Sequence, residues 1–464
     1  MSGILSRFII FRFVKKFLWR SNMPEKNDIL KMVKEQNIKL ISLWFTDILG
    51  FLKSFYITPR ELSGALNDGA GFDGSSIEGF VRIDESDMIA FPDVNTFCIL
   101  PWSDPDAPIA RMFCDIRKPG GEPFLGDPRQ VLRRNLQRAE KLGFTFNVGP
   151  ELEFFYFKNS DGTEILDNGG YFDMTPPDIA NDIRLETVMA LEKMGIAVER
   201  SQHEAAPSQH EIDFVYGDGL TMADTVMTAK FAIKEIAQKH GVYATFMPKP
   251  ILGVNGSGMH VHMSLFIFKD DSNAFFDAKG ECYLSALAKK YIAGILTHAP
   301  EMSAIVNQWV NSYKRLVPGY EAPVYISWAR KNRSNMIRIP EYQPGKEKAT
   351  RMEFRTPDPA CNPYLAFSVM LAAGLTGIEN NYVLSGPIEE NVFNMASEER
   401  KARGIKSLPH NLIEAVNIAK NSAVIKQALG EEVFNSFVKN KIVEWNNYRV
   451  QVTEYELKKY LSVL

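Results

Sequence analysis

The chain has 464 residues, 45% of them apolar, with a formal net charge of −3 and a pI near 6.2. That is length enough for two or three domains with a sizeable core, and too little positive charge for a global nucleic-acid-binding field. Cys98, Cys114, Cys282 and Cys361 are widely spaced with no C-x-x-C pair, which excludes a zinc ribbon or a disulfide framework and fits a reducing, cytoplasmic setting.

The first stretch, "MSGILSRFIIFRFVKKFLWRSNM", is apolar and aromatic and carries Arg7, Arg12, Lys15, Lys16 and Arg20 without an acid. It lacks the unbroken apolar run and small-residue cleavage site of a signal peptide. It reads either as an interfacial basic helix or as an extension, residues 1–22, ahead of a true start at Met23. The second reading is preferred, because an ordinary amphipathic helix with acids follows at once after Pro24. "NDILKMVKEQN" predicts a helix capped by Asn27, and "IKLISLWFTDILGFLKSFYI" predicts two strands around the "DILG" turn. Residues 59–68 read as a short helix, followed by a glycine-rich loop, "GAGFDGSSIEGF", and strand-like pieces to Ile116.

"GAGFDG" satisfies G-x-G-x-x-G literally, but a polar helical stretch precedes it where a dinucleotide site needs a buried strand. "RKPGGEPFLGDP" is turn chemistry and divides a domain over 23–122 from one over 123–464. A helix then starts with Asp127 as N-cap and Pro128 at its first position. Strands and helices follow without a βαβ period, which predicts an α+β fold. Tyr364–Leu375, the longest apolar candidate, is a buried helix and falls short of the ~18 residues a membrane span needs.

The chemistry lies in a few charged positions inside apolar, β-rich stretches. "GPELEFFYF" places Glu151 and Glu153 at i and i+2, on one strand face, where two partly dried carboxylates repel unless a positive group joins them. "SQHEAAPSQHEIDF" sets Glu204 and Glu211 on either side of a turn, so a hairpin returns both to one end. "NGSGMHVHMS" puts His260 and His262 on one face, "RMEFR" does the same for Arg351, Glu353 and Arg355, and "NRSNMIR" adds Arg333 and Arg338. Each motif alone has an ordinary structural reading as a solvated face, a hydrogen-bonded histidine or an ion-pair ladder. Together, five glutamates with a histidine and no thiolate point to hard ions such as Mg²⁺ or Mn²⁺, two or more of them. Hard ions beside arginines point to phosphate chemistry, and without a Walker A or kinase signature the nucleotide needs a sheet-lined cleft.

Several long blocks then occur in order. "FDGSSIEGF" (72–80), "GPELEFF" (149–155), "TFMPKPILGVNGSGMHVHMS" (245–264), "NSYKRLVPGYEAPVYISWA" (311–329), "NRSNMIRIP" (332–340) and "RMEFRTPDPACNPYLAF" (351–367) resemble the signature blocks of type I glutamine synthetases, from about Met23 to the C-terminus. The resemblance implies a small β-grasp-like N-terminal domain and a large catalytic domain with a curved antiparallel sheet flanked by helices. It implies a homo-dodecamer of two hexameric rings with shared active sites; small regulatory proteins are expected as partners, and the charge balance leaves no nucleic acid among them.

By the same resemblance, Glu153, Glu204 and Glu211 hold one metal ion, and Glu151, His260 and Glu353 a second. Asn255, Gly256, Arg315 and Arg355 hold L-glutamate. Glu199, His262, Met263, Ser264, Arg333, Arg338 and Lys348 serve ATP, with Arg333 also facing the transferred phosphoryl group. Glu321 resembles the flap residue that closes the site and helps take a proton from ammonium, and Asp47 the acid a neighbouring subunit brings to the ammonium site. The implied reaction is ATP-dependent ligation of ammonia to glutamate; ligation to polyamines and a non-catalytic structural homologue are the alternatives. Phe393, where adenylylated members carry tyrosine, together with Arg82, resembles the subtype inhibited directly by glutamine.

Overall fold

In the computed structural model, residues 24–75, 77, 79, 87–174 and 179–464 are described; Arg82 and the 1–22 extension lie outside them. The described residues form two compact units. The first runs to Phe124 without Thr46–Phe51, Ile77 and Gly79, and the second comprises Leu125–Leu464 together with those residues.

The first unit begins with α1 (Lys26–Glu35), which starts one residue before the expected Asn27 cap. Glu25 caps it, because its side chain and that of Asp28 close a reciprocal capping box. β1 (Leu40–Thr46) and β2 (Leu52–Ile57) flank the expected turn. α2 (Leu62–Asp68) follows, then β3 (Ala70–Asp73), β4 (Asp87–Pro92), β5 (Cys98–Ile99) and β6 (Ile109–Arg117). They build a six-stranded sheet in the order β2-β1-β6-β4-β3, with β5 on β6 and β1 parallel to β6. The glycine stretch is thus a helix stop and a strand. Gly69, at φ +82°, ends α2, and a side chain there would meet Ile89 at 2.2 Å. Helix-then-strand is the reverse of a dinucleotide fingerprint.

The second unit opens with α3 (Pro128–Lys141), capped by Asp127 as expected. Its frame is a nine-stranded sheet built on β7 (Phe144–Phe157). β8 (Val198–His203), β9 (Gln209–Phe214), β10 (Gly217–Asp218), β11 (Tyr243–Thr245), β12 (Met259–Ile267), β13 (Trp328–Ala329), β14 (Ile337–Arg338) and β15 (Met352–Phe354) complete it, in the order β13-β14-β15-β12-β7-β9-β8 with β10 and β11 also on β7. Pairing is antiparallel except between β13 and β14. The helices are α4 (Ile179–Lys193), α5 (Gly219–Lys239), α6 (Ala286–Val306), the single turn α7 (Ser312–Arg315) and α8 (Pro363–Glu379), before a helical C-terminal stretch. No helix among the described residues is long and apolar enough to cross a membrane.

α8 is the expected buried helix and begins earlier than its apolar run suggests. Pro363 sits at its first position, and Asn362 Oδ1 accepts from the Tyr364 and Leu365 amides at 3.0 and 3.4 Å. The fork of Arg129 (α3) holds Asp224 (α5) at 3.0 and 2.8 Å, and the Tyr364 hydroxyl donates to the same carboxylate at 2.7 Å. A buried charge pair with satisfied hydrogen bonds fixes the mutual register of three helices. α6 and α8 touch backbone to backbone, since a Cβ on Gly294 would lie 2.3 Å from the Ala373 carbonyl oxygen and one on Gly377 2.3 Å from that of Lys290. Gly294→Ala is expected to lower stability by about 1–3 kcal/mol through forced separation of the helices. A lower midpoint in thermal unfolding checks it, and an unchanged midpoint contradicts the close crossing.

Candidate active site

The strand register assembles the predicted residues into three rows on one sheet face. In the first, Arg338 pairs with Glu353, Glu353 with His262, and His262 with Gly149. In the second, His260 pairs with Glu151, Glu151 with Asp213, and Asp213 with Arg200. In the third, Glu153 pairs with Glu211 and Glu211 with Gln202. Because side chains two apart share a face, Glu151 and Glu153 on β7 and His260 and His262 on β12 meet as expected. Glu204 arrives at the end of the β8–β9 hairpin, its amide bonded to the Gln209 carbonyl at 2.8 Å.

In the first two rows, Glu353 and Glu151 each have compensating partners. Arg338 and Arg355 both hold Glu353, the latter at 2.5 Å, and with His260 and His262 nearby the carboxyl falls to about 2 despite burial. Burial would also raise Glu151, but hydrogen bonds from His260 Nδ1 at 3.1 Å and His262 Nε2 at 2.8 Å hold it well below the usual range. The third row has no such compensation. Burial and the Glu204 charge push Glu153 well above its ordinary value, although Arg315, the Gly258 amide and Arg355 pull the other way. Burial, then Asp213, Glu153, Glu151 and Glu204, push Glu211 up likewise. Asp213 is raised to about 7 by burial and Glu151, against the pull of Arg200.

A surplus of carboxylates in a dry place calls for a cation. The donors fit a divalent ion: atoms of Glu151, Glu211 and His260, and of Glu151, His262 and Glu353, lie within 4.8 Å of one another in each group. Oxygen and imidazole nitrogen without thiolate match Mg²⁺ or Mn²⁺. These geometric groups share Glu151, whereas the resemblance divides the ligands into Glu153, Glu204 and Glu211 against Glu151, His260 and Glu353.

Supporting groups escaped the sequence reading because they are uncharged or remote in sequence. The Gln202 amide donates to Glu211 and, at 3.3 Å, to Glu204; Gln209 donates to Glu153 at 2.9 Å. The Gly258 amide donates to Glu153 at 2.8 Å. A Cβ at Gly258 would stand 2.6 Å from Arg315 Nη2 and 3.0 Å from His260 Nε2, so only glycine fits at the point of convergence. Asp167 accepts from His203 Nε2 at 2.8 Å and from the Ser208 amide at 3.1 Å, and His203 Nδ1 donates to the Glu204 carbonyl at 2.7 Å. Both histidine nitrogens thus face acceptors and act as donors, clamping the hairpin that carries Glu204 and Glu211. Burial notwithstanding, the His203 hydrogen bond leads those that lower Asp167 to about 2.

A small cleft is lined by Glu153, Glu204, Gln209, Asn255, Gly256, His260, Arg315, Glu321 and Ala322. Gly256 is sterically required, as a Cβ there would lie 2.2 Å from the Pro248 carbonyl. Arg315 gives Nη1 and Nη2 to the Thr356 and Arg355 carbonyls at 2.7 and 3.2 Å, and its buried Nε has no hydrogen-bond partner among the described residues.

The residues assigned to ATP are spread more widely. Ser264 shares the face of His260 and His262, whereas Met263 turns to the opposite face, where the Tyr291 hydroxyl meets its sulfur at 3.8 Å. Arg351 Nε donates to His262 Nδ1 at 3.1 Å and feels the charge of exposed Glu199. Lys348 pairs with Asp271 at 2.8 Å on the surface, and Arg333 is exposed on the turn before β14. Asp47 is buried; its Oδ1 accepts from the Leu49 and Phe51 amides at 3.0 and 2.9 Å, and its carbonyl accepts from Asn362 at 3.1 Å. It does not line the cleft.

A model of the glutamine synthetase catalytic domain matches residues 125–460, and one of the glutamine synthetase β-grasp domain matches 37–119. The chain is 53% identical over 445 residues to a glutamine synthetase of Mycolicibacterium smegmatis, covering 95% of this chain and 99% of the relative. It is 52% identical over 443 residues to one from Methanosarcina mazei (95% and 98% covered) and 51% over 437 residues to one from Thermotoga maritima (93% and 98%). A solved structure described as "GmaS/ADP complex-Conformation 1" superposes with a TM-score of 0.86 at 32% identity, over 94% of this chain and 99% of the other.

The raised carboxyls give a signed prediction. A carboxyl whose folded pKa is raised favours the fold below its unfolded value and loses that stability as pH rises through the folded value. In metal-free protein the contribution of Asp213 (about 7), Glu153 and Glu211 should therefore fall from about pH 4 to pH 7 and above as they are forced to ionise, against the opposite contribution of buried His210 and His260, whose values are lowered. Mn²⁺ binding at pH 7 should expel protons, because ligand carboxylates bind as anions. Calorimetric titration in buffers of different ionisation enthalpy measures the release, and a value of zero contradicts the raised values.

Proposed function

The chain belongs to the glutamine synthetase family, and on that premise we propose that it joins ammonia to L-glutamate, with ATP cleaved to ADP and phosphate through γ-glutamyl phosphate. The observation that carries the site-level reading is the uncompensated third row, Glu153 and Glu211 with Glu204 beside it, in a cleft that also presents Arg315 and Glu321.

In this reading residues 23–122 and 123–464 are the two domains. Glu153, Glu204 and Glu211 hold one divalent ion and Glu151, His260 and Glu353 another. Mg²⁺ or Mn²⁺ bound there supplies positive charge against the phosphate oxygens and neutralises the ligands' own repulsion. Arg315, Arg355, Asn255 and Gly256 hold and orient glutamate; Arg315 suits the role because its Nε is a buried donor in need of an acceptor. Glu199, His262, Ser264, Arg338 and Lys348 position ATP, with Met263 contributing through its backbone.

A γ-carboxylate oxygen of glutamate attacks the γ-phosphorus of ATP, the bond to the ADP oxygen breaks, and ADP leaves. Arg333 faces the charge spread over the phosphoryl oxygens. Asp47 draws ammonium to the site from a neighbouring subunit, and Glu321 takes its proton. Ammonia then attacks the γ-carbonyl carbon, the C–O bond breaks, and phosphate departs with the bonding electrons and takes up the proton that the amide nitrogen loses.

Several finer features complete the proposal. The chains form a dodecamer of two hexameric rings in the cytoplasm, open to small regulatory proteins. Glutamine inhibits directly through Arg82, and with Phe393 half-buried 6.1 Å from the Tyr325 ring there is no hydroxyl at that position to adenylylate. The polyamine alternative is not favoured, since relatives at about half identity over nearly the whole chain are glutamine synthetases.

Phosphate release from ATP should require glutamate and rise strongly with ammonium, with one glutamine per phosphate; a polyamine preference in an amine panel contradicts the assignment. Glu353→Ala should retain less than about a tenth of the activity, since it removes the only acid of its row. Asp47→Ala and Glu353→Ala, each nearly inactive, should recover about a quarter of wild-type activity when dissociated and co-assembled, as random head-to-tail pairing restores that share of shared sites. No recovery in particles shown by mass to be mixed contradicts a site built by two subunits.

A further inference from the structure

Residues 318–323, "PGYEAP", carry Glu321 and Ala322 to the cleft yet are held by little. Among the described residues their backbone forms a turn at Pro318–Gly319 and no strand pairing; the ladder resumes at Val324, whose carbonyl accepts from Leu408 at 2.8 Å. Pro318 and Pro323 bound the segment, and Gly319, exposed at φ +96° with open space around it, supplies a pivot. Its one cation or ring contact is at Tyr320, whose ring centre lies 3.6 Å from Lys249 Nζ.

Lys249 is itself firmly placed. Its amide donates to Asn311 Oδ1 at 2.7 Å, Asn311 Nδ2 returns a bond to its carbonyl at 3.0 Å, and the residue is only 8% exposed. The same ammonium donates to the Val254 carbonyl, one residue before Asn255 and two before Gly256. The Lys249 Cδ would stand 3.3 Å from a Cβ on Gly256. One firmly held cation thus touches both Tyr320 in this segment and Val254, next to Asn255.

We propose that Lys249 is the latch of this lid, a positioning residue whose ammonium, seated on the Tyr320 ring and bonded to Val254, keeps residues 318–323 closed over the cleft and water away from the intermediate. The latch rests on the reading that the site forms γ-glutamyl phosphate. With the lid open, water's oxygen bonds to the γ-carbonyl carbon, the C–O bond to phosphate breaks, and glutamate, inorganic phosphate and a proton return to solution. ATP is then spent without product. A cation over an aromatic face needs charge and ring but not the phenolic hydroxyl, so Tyr320→Phe keeps the latch while Tyr320→Leu and Lys249→Met remove it.

The test measures phosphate released without ammonium against glutamine formed with it, on the assembled enzyme. The leak ratio should rise about threefold or more in Lys249→Met and in Tyr320→Leu, by the ordinary strength of a partly buried cation–π contact, with no further rise in the double variant. Tyr320→Phe should match the wild type. An unchanged ratio in Tyr320→Leu, a change at a half-buried lid residue that leaves Lys249 in place should Lys249→Met fail to assemble, overturns the latch. So does a Tyr320→Phe enzyme as leaky as Tyr320→Leu. Wild-type enzyme that releases no phosphate with glutamate, ATP and ammonium together overturns the functional reading beneath it, a result distinct from either.

Discussion

Two buried glutamates facing each other across adjacent strands, Glu153 and Glu211, set the terms for everything around them. Like charges directly opposite in a sheet are destabilising, and burial removes the water that would screen them. The neighbouring rows avoid this with Arg338, Arg355, His260 and His262 against Glu353 and Glu151. The third row contains an amide, Gln202, where the others have a cation, and Gln202 donates to two carboxylates at once. A protein that spends folding energy to keep acids unpaired has left room for a cation from outside.

Holding that arrangement open requires rigidity behind it. The outer face of the sheet is apolar: Leu152, Phe154, Val261, Met263 and Ile212 alternate with the charged positions and are fully or nearly fully buried. Beyond them, Arg129, Asp224 and Tyr364 tie three helices together, and α6 meets α8 backbone to backbone at Gly294 and Gly377. At the hairpin end, where the backbone leaves the sheet, Asp167 and His203 replace strand pairing with a charged clamp. The site can thus be electrostatically strained while its geometry stays fixed, which is what preorganisation for a charged transition state demands.

Much of this was legible in the sequence because it depends on local rules. Strand alternation placed Glu151 with Glu153 and His260 with His262, the proline-serine turn placed Glu204 near Glu211, and Asp127-Pro128 announced a helix start. The fold class followed from the absence of a βαβ period, and the family from the order of long blocks. What stayed hidden is set by long-range pairing. The register that puts Glu153 opposite Glu211 and His262 opposite Glu353 joins segments tens of residues apart, and no period reports it. Gln202, Gln209 and Gly258 carry no charge to attract notice, and their roles exist only once the strands have met. The Asn27 cap lost to a competing box at Glu25, and the glycine stretch read as a loop contains β3, because pairing with β4 outweighs local propensity.

The central claim is that the carboxylate rows are a cation site. Equilibrium binding of Mn²⁺ followed by electron paramagnetic resonance counts the ions directly, without turnover. About two or more tightly bound ions per chain are expected, by the ligand count of hard divalent ions, with loss of about one when both acids of the facing pair are neutralised in Glu153→Gln/Glu211→Gln. Wild-type binding no tighter than that of this doubly neutralised chain would contradict it.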